Sequence, residues 1–323
     1  MDRRRVLAVG AASLIAAHLP MGRVHAQGEG PVALITGCSS GFGRLTALTM
    51  ARAGYRVAAS MRGHEAANAE AARALRAVAA DEGLELIVPE IDVRSDASVL
   101  SGVAETEQAF GPVDVLISNA GIGIPLPAEL SMDATREVIE TNLFGGLRMV
   151  RAVAPSMRER GTGLIVQTSS ALGRYAMPTY GAYTASKHAL EALFHALAFE
   201  LHPFGVETAI LQPGGYDTLF KENAVEDQDR ILSSLPPEDA ARLTAYERHV
   251  DVARSITESY PTDPPQEIAD ALLALAEMPR GERPLRVATG PGTAGLSAIN
   301  EPLERTAEQI ARGLGVEDWT TLG

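Results

Sequence analysis

The sequence predicts an α/β fold: a doubly wound parallel β-sheet, formed as a single domain with helices on both faces. Three observations lead there. Short apolar, β-branched runs recur along the chain and alternate with longer helical stretches, the layout of repeated β–α units. The first of these runs, Val32-Ala33-Leu34-Ile35, enters a glycine-rich turn that opens a helix. The chain has 323 residues, 46% of them hydrophobic, enough for one large core with extensions.

The totals narrow the class further. A net charge of −13 argues against a nucleic-acid or anionic-membrane surface. One cysteine excludes an intramolecular disulfide framework and a multi-cysteine zinc cluster, and nothing else suggests a metal. No internal repeat or low-complexity tract is present.

Residues 1–30 read as an export signal and stand apart from the fold. Arg3, Arg4 and Arg5 form a positive start, Val6 to Leu19 an apolar stretch, and Val24-His25-Ala26 a cleavage site before Gln27. The apolar run is too short for a comfortable membrane span. Arg3-Arg4-Arg5-Val6-Leu7 resembles a twin-arginine signal, which exports folded proteins. Cleavage would remove four Arg and Asp2 and leave the mature chain near −16. The expected location is therefore periplasmic. The alternative is a cytoplasmic protein that starts near Gly30.

After β-strand 32–35 comes Thr36-Gly37-Cys38-Ser39-Ser40-Gly41-Phe42-Gly43, then a helix to about Ala53. Glycines let a backbone approach a pyrophosphate, and a helix N-terminus offers it free N–H groups. The same turn contains Gly37-x-Ser39-x-Gly41, which also matches the nucleophile elbow of α/β-hydrolases. That elbow normally follows several strands and an upstream oxyanion loop, and here one strand precedes it.

Tyr55 to Ser60 is a second strand ending in Met61-Arg62. In a dinucleotide fold an acid at this place binds the 2′-hydroxyl of NAD, and an arginine accommodates the 2′-phosphate of NADP. Arg62 thus favours NADP(H), with NAD(H) as the alternative. A helix is expected from Glu65 to Glu82 and a strand from Leu84 to Ile91, then Asp92-Val93, where Asp92 either receives an adenine amino group or starts the next turn. Residues 96–110 form a helix and Val113 to Ser118 a strand that ends in Asn119-Ala120-Gly121. Residues 133–160 are helical, with Asn142 among Ile139, Leu143 and Phe144. On its own, Asn142 reads as a helix-face residue.

Leu164 to Ser169 is the fifth strand. The helix after it starts near Tyr180 and carries Tyr183 and Lys187. At i and i+4 the two share one helix face, with Ser170 upstream at the strand end. A cation beside a phenol favours the phenolate, so Tyr183 is expected to ionise below its usual pKa of about 10 and to act as a general acid/base. Chance does not explain the pair well. The chain has 7 tyrosines and only two lysines, Lys187 and Lys221, so random placement gives the pattern about 4% of the time. Arginine, used almost everywhere else, would be a poor substitute because it effectively never releases its proton.

Val206 to Leu211 is the sixth strand, followed by Pro213-Gly214-Gly215-Tyr216-Asp217-Thr218. Residues 219–262 are polar and helix-like, long enough to cover a site. A helix at 264–278 and a strand from Leu285 to Ala288 complete the sheet, and a last helix is expected at 299–313.

With these motifs in order and spacing, residues 31–290 resemble the short-chain dehydrogenase/reductase family. Thr36-Gly37-x-x-x-Gly41-x-Gly43 resembles its cofactor loop, Asn119-Ala120-Gly121 its central-strand motif, and Pro213-Gly214 with Thr218 its nicotinamide-side loop. Asn142, Ser170, Tyr183 and Lys187 fall where its catalytic tetrad would. The Thr-Gly-Cys-Ser-Ser-Gly turn and Arg62 are similar to the hydroxysteroid and retinol dehydrogenase-like branch. The resemblance implies a Rossmann-like domain at 31–290, with residues 291–323 as a C-terminal extension.

It implies hydride transfer between NADP(H) and an alcohol or a ketone/aldehyde, the substrate being small and apolar. Tyr183 would exchange the proton and Ser170 would bond the same oxygen. Lys187 would hold the ribose and lower the Tyr183 pKa. Asn142 would position a relay water through its backbone at a helix irregularity. A homo-oligomer, dimer or tetramer, is implied as well. Two features depart from the family: the export signal, and Ser39-Ser40 where many NADP-preferring members carry a basic residue. The rival class is a non-catalytic nucleotide-binding module, in which the Tyr183–Lys187 pair would have no use.

Overall fold

A computed structural model of the chain describes residues 28–259 and 263–320. The expected export signal lies outside the described residues up to Gln27. Seven parallel strands form one sheet in the order β3-β2-β1-β4-β5-β6-β7. They are β1 (Val32–Ile35), β2 (Arg56–Ala59), β3 (Leu86–Ile87), β4 (Val115–Ser118), β5 (Gly163–Thr168), β6 (Val206–Pro213) and β7 (Arg286–Thr289). The chain runs outward from β1 to β3, then returns to β4 on the other side of β1. That reversal opens a crevice beyond the C-terminal ends of β1 and β4.

The period-two pattern of the central strands builds the layers. Ala33 and Ile35 of β1 face a core shared with α1 (Gly41–Arg52), α2 (Ala69–Glu82) and α9 (Gln266–Glu277). Val32 and Leu34 face the opposite core, under α3 (Asp96–Phe110), α5 (Gly145–Arg160) and α6 (Gly181–Leu201). The strands are buried on both faces, so they read as continuous apolar runs. A third cluster joins Ile124, Leu126, Leu130, Tyr180 and Tyr183 to Ile231 and Val250. The last two lie on α7 (Phe220–Ser233) and α8 (Pro237–Glu258), the helical pair over the sheet's C-terminal edge. The buried Gln228 amide ties α7 down by donating to the Pro125 carbonyl at 2.7 Å.

Several boundaries differ from those the sequence suggests. The third strand is two residues long. Pro89 has no N–H to donate, and the ladder breaks into a single bridge between Met61 and Glu90. Helix α2 starts at Ala69, because Gly63 turns with φ +59° and Asn68 donates to the Arg62 carbonyl at 2.7 Å. The segment over 133–160 is three pieces: α4 (Met132–Ile139), a π turn (Glu140–Phe144) and α5. Helix α10 (Leu296–Gly313) lies on the last part of the chain. No described helix is long and apolar enough to cross a membrane.

Candidate active site

The crevice opens into a groove of about 670 Å³. Its floor is the β1–α1 turn. Gly37 has φ +75°, and a Cβ there would stand 3.0 Å from the Ala120 Cα. A Cβ on Gly43 would stand 2.3 Å from the Gly37 carbonyl oxygen, so this glycine lets α1 sit directly on the turn. Ser40 caps α1 with its backbone alone; its side chain makes no capping bond, and no acid occupies the first turn. The free N–H groups of a helix start and its positive dipole end therefore face the groove, which suits the diphosphate of a dinucleotide.

Ser39, Ser40, Gly41, Phe42, Asp92, Val93, Asn119, Ala120, Gly121, Pro213, Gly214 and Thr218 all line the groove, as the sequence suggests. Thr36 and Gly43 lie behind that lining, in the same turn. Thr36 is buried, and its hydroxyl accepts from the Asn119 and Ala120 amides at 2.9 Å each. Asn119 donates back to the Thr36 carbonyl at 2.9 Å, so the two residues lock the ends of β1 and β4 together.

At the adenosine end, Arg62 is exposed beside the groove and makes no ion pair among the described residues. Asp92 is less free than the sequence suggests. Arg94 grips its carboxylate, with the Nη2 to Oδ2 bond at 2.6 Å, and holds it below the usual carboxylate range. Glu90 accepts from the Gly63 and His64 amides at 2.6 and 2.9 Å and from the His64 ring. Neither Arg94 nor the Glu90–His64 contact shows in sequence, because their roles depend on where the short β3 ends.

The reacting end is built from β5, the turn after it and α6. Ser170 caps the 3₁₀ turn Ala171–Gly173, accepting from the Leu172 amide at 3.1 Å. Its hydroxyl lies beside the Tyr183 phenol and favours the phenol's ionised form. Lys187 is buried and donates to the Thr168 carbonyl at 3.0 Å, with its Nζ 5.6 Å from the Tyr183 ring centre. The Thr168 and Ser169 hydroxyls at the same wall are buried and have no hydrogen-bond partner among the described residues, leaving polar capacity for a bound molecule.

The electrostatics correct one expectation. Tyr183 is expected below its usual pKa and lies above it. Burial pushes Tyr183 up to about 12, and the Ser170 hydroxyl only partly opposes it. The same burial takes Lys187 down to about 8. Sequence shows that the two residues share a helix face; it does not show that the protein closes over both.

Asn142 sits in the π turn, buried behind the groove wall. Its Oδ1 accepts from the Ile122 amide at 2.8 Å, and its Nδ2 donates to the Ile122 carbonyl and to the Ser186 hydroxyl at 2.9 Å each. The side chain is thus committed to the scaffold. Ser39 lines the groove, but among the described residues no histidine does, so the hydrolase elbow has no histidine base beside it there. Cys38 packs in the core, its thiol donating to the Ile35 carbonyl at 3.3 Å, and burial pushes its pKa up. Among the described residues no group of His, Cys, Asp and Glu could hold a metal ion.

Strand order, glycine turn and open crevice together define a dinucleotide-binding α/β protein. A family model for short chain dehydrogenases matches residues 31–229. The chain is 34% identical over 256 residues to human 17-beta-hydroxysteroid dehydrogenase type 1, which spans 77% of this chain and 75% of that protein. An alcohol dehydrogenase from Thermococcus sibiricus, solved with 5-hydroxy-NADP, superposes with a TM-score of 0.62 at 29% identity over 81% of this chain and 96% of that one. A short-chain dehydrogenase/reductase from Burkholderia phymatum, solved with NAD, gives 0.65 at 28% identity over 88% and 97%. The chain belongs to the short-chain dehydrogenase/reductase family, whose members are oxidoreductases that bind NAD(P)(H).

Proposed function

We propose that the protein is an NADP(H)-dependent oxidoreductase that interconverts an alcohol and a ketone or aldehyde, with Tyr183 as general acid/base. The observation that carries this reading is the meeting of the Ser170 hydroxyl, the Tyr183 phenol and the Lys187 ammonium at one wall of the groove that the glycine turn floors. Bound there, NADP(H) supplies or accepts the hydride. The chain's own groups do the rest. Ser170 donates a hydrogen bond to the substrate oxygen and stabilises charge that develops on it. Tyr183 holds the proton for the same oxygen, and a phenol raised to about 12 is protonated at neutral pH. That favours proton donation, the direction of carbonyl reduction.

Lys187 spends one N–H on Thr168 and keeps two for a ribose. The Asn142 side chain is engaged elsewhere, which leaves its backbone at the π turn as the group to hold a relay water. The substrate end is lined by Ile122, Gly123, Leu172, Tyr180, Phe220 and Ala224. The Phe220 ring meets Tyr183 edge-on at 5.7 Å between centres. This supports a small apolar alcohol or carbonyl compound.

Arg62 carries the NADP part of the proposal. Its guanidinium is exposed beside the groove with no ion pair among the described residues, which supports a role in holding a 2′-phosphate, and charge-assisted bonds to such a group are strong. Replacing Arg62 with Ala is expected to weaken NADPH binding by about ten- to a hundredfold, the worth of ~1.5–3 kcal/mol. NADH binding is expected to stay as it was. Fluorescence titration of the purified protein with each nucleotide tests this, and equal loss for both would rule Arg62 out as the discriminating residue.

Two further parts rest on the sequence alone. We propose export through residues 1–26 with cleavage before Gln27, tested by cell fractionation and N-terminal sequencing: protein held in the cytoplasm contradicts export, and a Met1 start in the periplasm contradicts cleavage. We also propose a homo-oligomer, tested by light scattering of the purified protein, where a monomer mass contradicts it.

A further inference from the structure

Beneath the reacting end lies a buried ionic cluster that the proposed mechanism does not use. Its centre is Glu191, one helical turn beyond Lys187 on α6 and fully buried. Glu191 Oε1 accepts from Gln212 of β6 at 2.9 Å, and Oε2 accepts from the Arg286 Nε of β7 at 2.8 Å. Arg174 closes the cluster from the Ser170 side. Its Nη2 lies 2.9 Å from Glu191 Oε2, an ion pair without hydrogen-bond geometry. Two guanidinium groups, of Arg174 and Arg286, are balanced by the carboxylates of Glu191 and Glu304, the latter 2.8 Å from Arg286.

Arg174 is also the link to α10. Its Nε donates to Asn300 Oδ1 at 2.8 Å, and Asn300 Nδ2 donates to Gln212 Oε1 at 2.7 Å. The next residue adds a link to the loop before α10: the Tyr175 hydroxyl donates to the Gly292 carbonyl at 3.1 Å. The Ser170 turn is pressed against α6 in the same place. A Cβ on Gly173 would stand 2.9 Å from Glu191 Cγ and 3.3 Å from the Lys187 carbonyl. The 3₁₀ turn therefore has α6 on one side and the C-terminal segment on the other.

We infer that Arg174, held between Glu191 and Asn300, is a positioning residue that sets the Ser170 hydroxyl against Tyr183 and makes the C-terminal helix α10 part of the reacting end. The inference rests on the proposed role of Ser170. Arg174 touches neither substrate nor nucleotide in this account and acts only by fixing the turn. Glu191 has a second effect from the same place: its charge opposes the burial that lowers the Lys187 pKa.

The test uses the whole protein and two variants that leave no carboxylate of the cluster without a cation. In Arg174→Gln, Glu191 keeps Arg286; in Asn300→Ala, no charge is removed. The first readout is hydrogen exchange at the Leu172, Gly173 and Arg174 amides, which bond to the Ser170 hydroxyl, the Ser170 carbonyl and the Ala171 carbonyl. Both variants are expected to speed exchange there about tenfold while β1 and β4 stay protected. The second readout is a double-mutant cycle on turnover. Arg174→Gln is expected to lower kcat about tenfold, with KM for the nucleotide unchanged, and to have no further effect in the Ser170→Ala background. Unchanged exchange in the turn, or the same loss of kcat in both backgrounds, would overturn the inference. Absence of turnover in the wild type would instead defeat the proposed function, and the exchange result would still decide the role of Arg174.

Discussion

Tyr183→Phe is expected to remove turnover, by about 10²–10⁴-fold, while nucleotide binding and fold survive. The substitution deletes one oxygen and keeps the ring. That ring is nearly buried and packs edge-on against Phe220 and Tyr180, contacts that need no hydroxyl. What is lost is the only proton the mechanism moves. The direction of pH dependence follows from the raised pKa. Carbonyl reduction uses the protonated phenol, so its rate should be level through neutral pH and fall as pH climbs toward about 12. Alcohol oxidation uses the phenolate, so its rate should rise over the same range. Steady-state rates in both directions, with the variant as control, check both statements. A variant as active as the wild type would remove Tyr183 from the chemistry.

Lys187→Met is expected to weaken nucleotide binding, by removing the donors left for the ribose, and at the same time to raise stability. Burial takes the Lys187 ammonium from 10.5 down to about 8. A drop of that size corresponds to roughly 3 kcal/mol of destabilisation below pH 8, where the folded protein must carry the buried charge. Methionine removes that burden and nearly matches the stem in shape, though it leaves the Thr168 carbonyl without its partner, a loss of about 1 kcal/mol. The net gain is therefore about 2 kcal/mol near neutral pH.

The sign with pH is set by linkage. Between about pH 8 and 10.5 the unfolded lysine binds a proton that the folded one has lost, so wild-type stability rises through that window. The variant lacks this rise. Denaturant unfolding of both proteins between pH 7 and pH 9.5 reads the difference, below the range where the buried Tyr55 and Tyr183 begin to matter. A variant less stable than wild type at pH 7 would show that Lys187 is a structural residue, with no strain held for function.

The parts of the fold that depend on local pattern were legible in the sequence. The turn from Gly37 to Gly43 announces itself by composition, and the strands are visible because parallel strands buried on both faces are continuous apolar runs. Tyr183, Lys187 and Ser170 could be brought together from helix spacing and one strand end.

What could not be read depends on burial or on distant partners. The hydrogen bonds that tie Thr36 to Asn119, and the close seat of Gly43 on Gly37, depend on the strand beside the motif. Pro89 and Gly63 cut short a strand and delay a helix that propensity alone would extend. The Tyr183 pKa moved opposite to expectation because charge spacing is local and desolvation is not. Arg174 and Asn300 meet across 126 positions of sequence, and no periodicity links them.

Single-turnover oxidation of protein-bound NADPH, followed by its nicotinamide absorbance, tests Tyr183 as the proton donor. A panel of apolar ketones and aldehydes is added to wild type and to Tyr183→Phe loaded equally with nucleotide. At least one carbonyl compound is expected to discharge the absorbance in the wild type, with the matching alcohol recovered, while the variant holds its NADPH. Equal discharge by both proteins would contradict Tyr183 as the proton donor. Tight NADPH binding with no discharge across the panel would favour the non-catalytic nucleotide-binding module in its place.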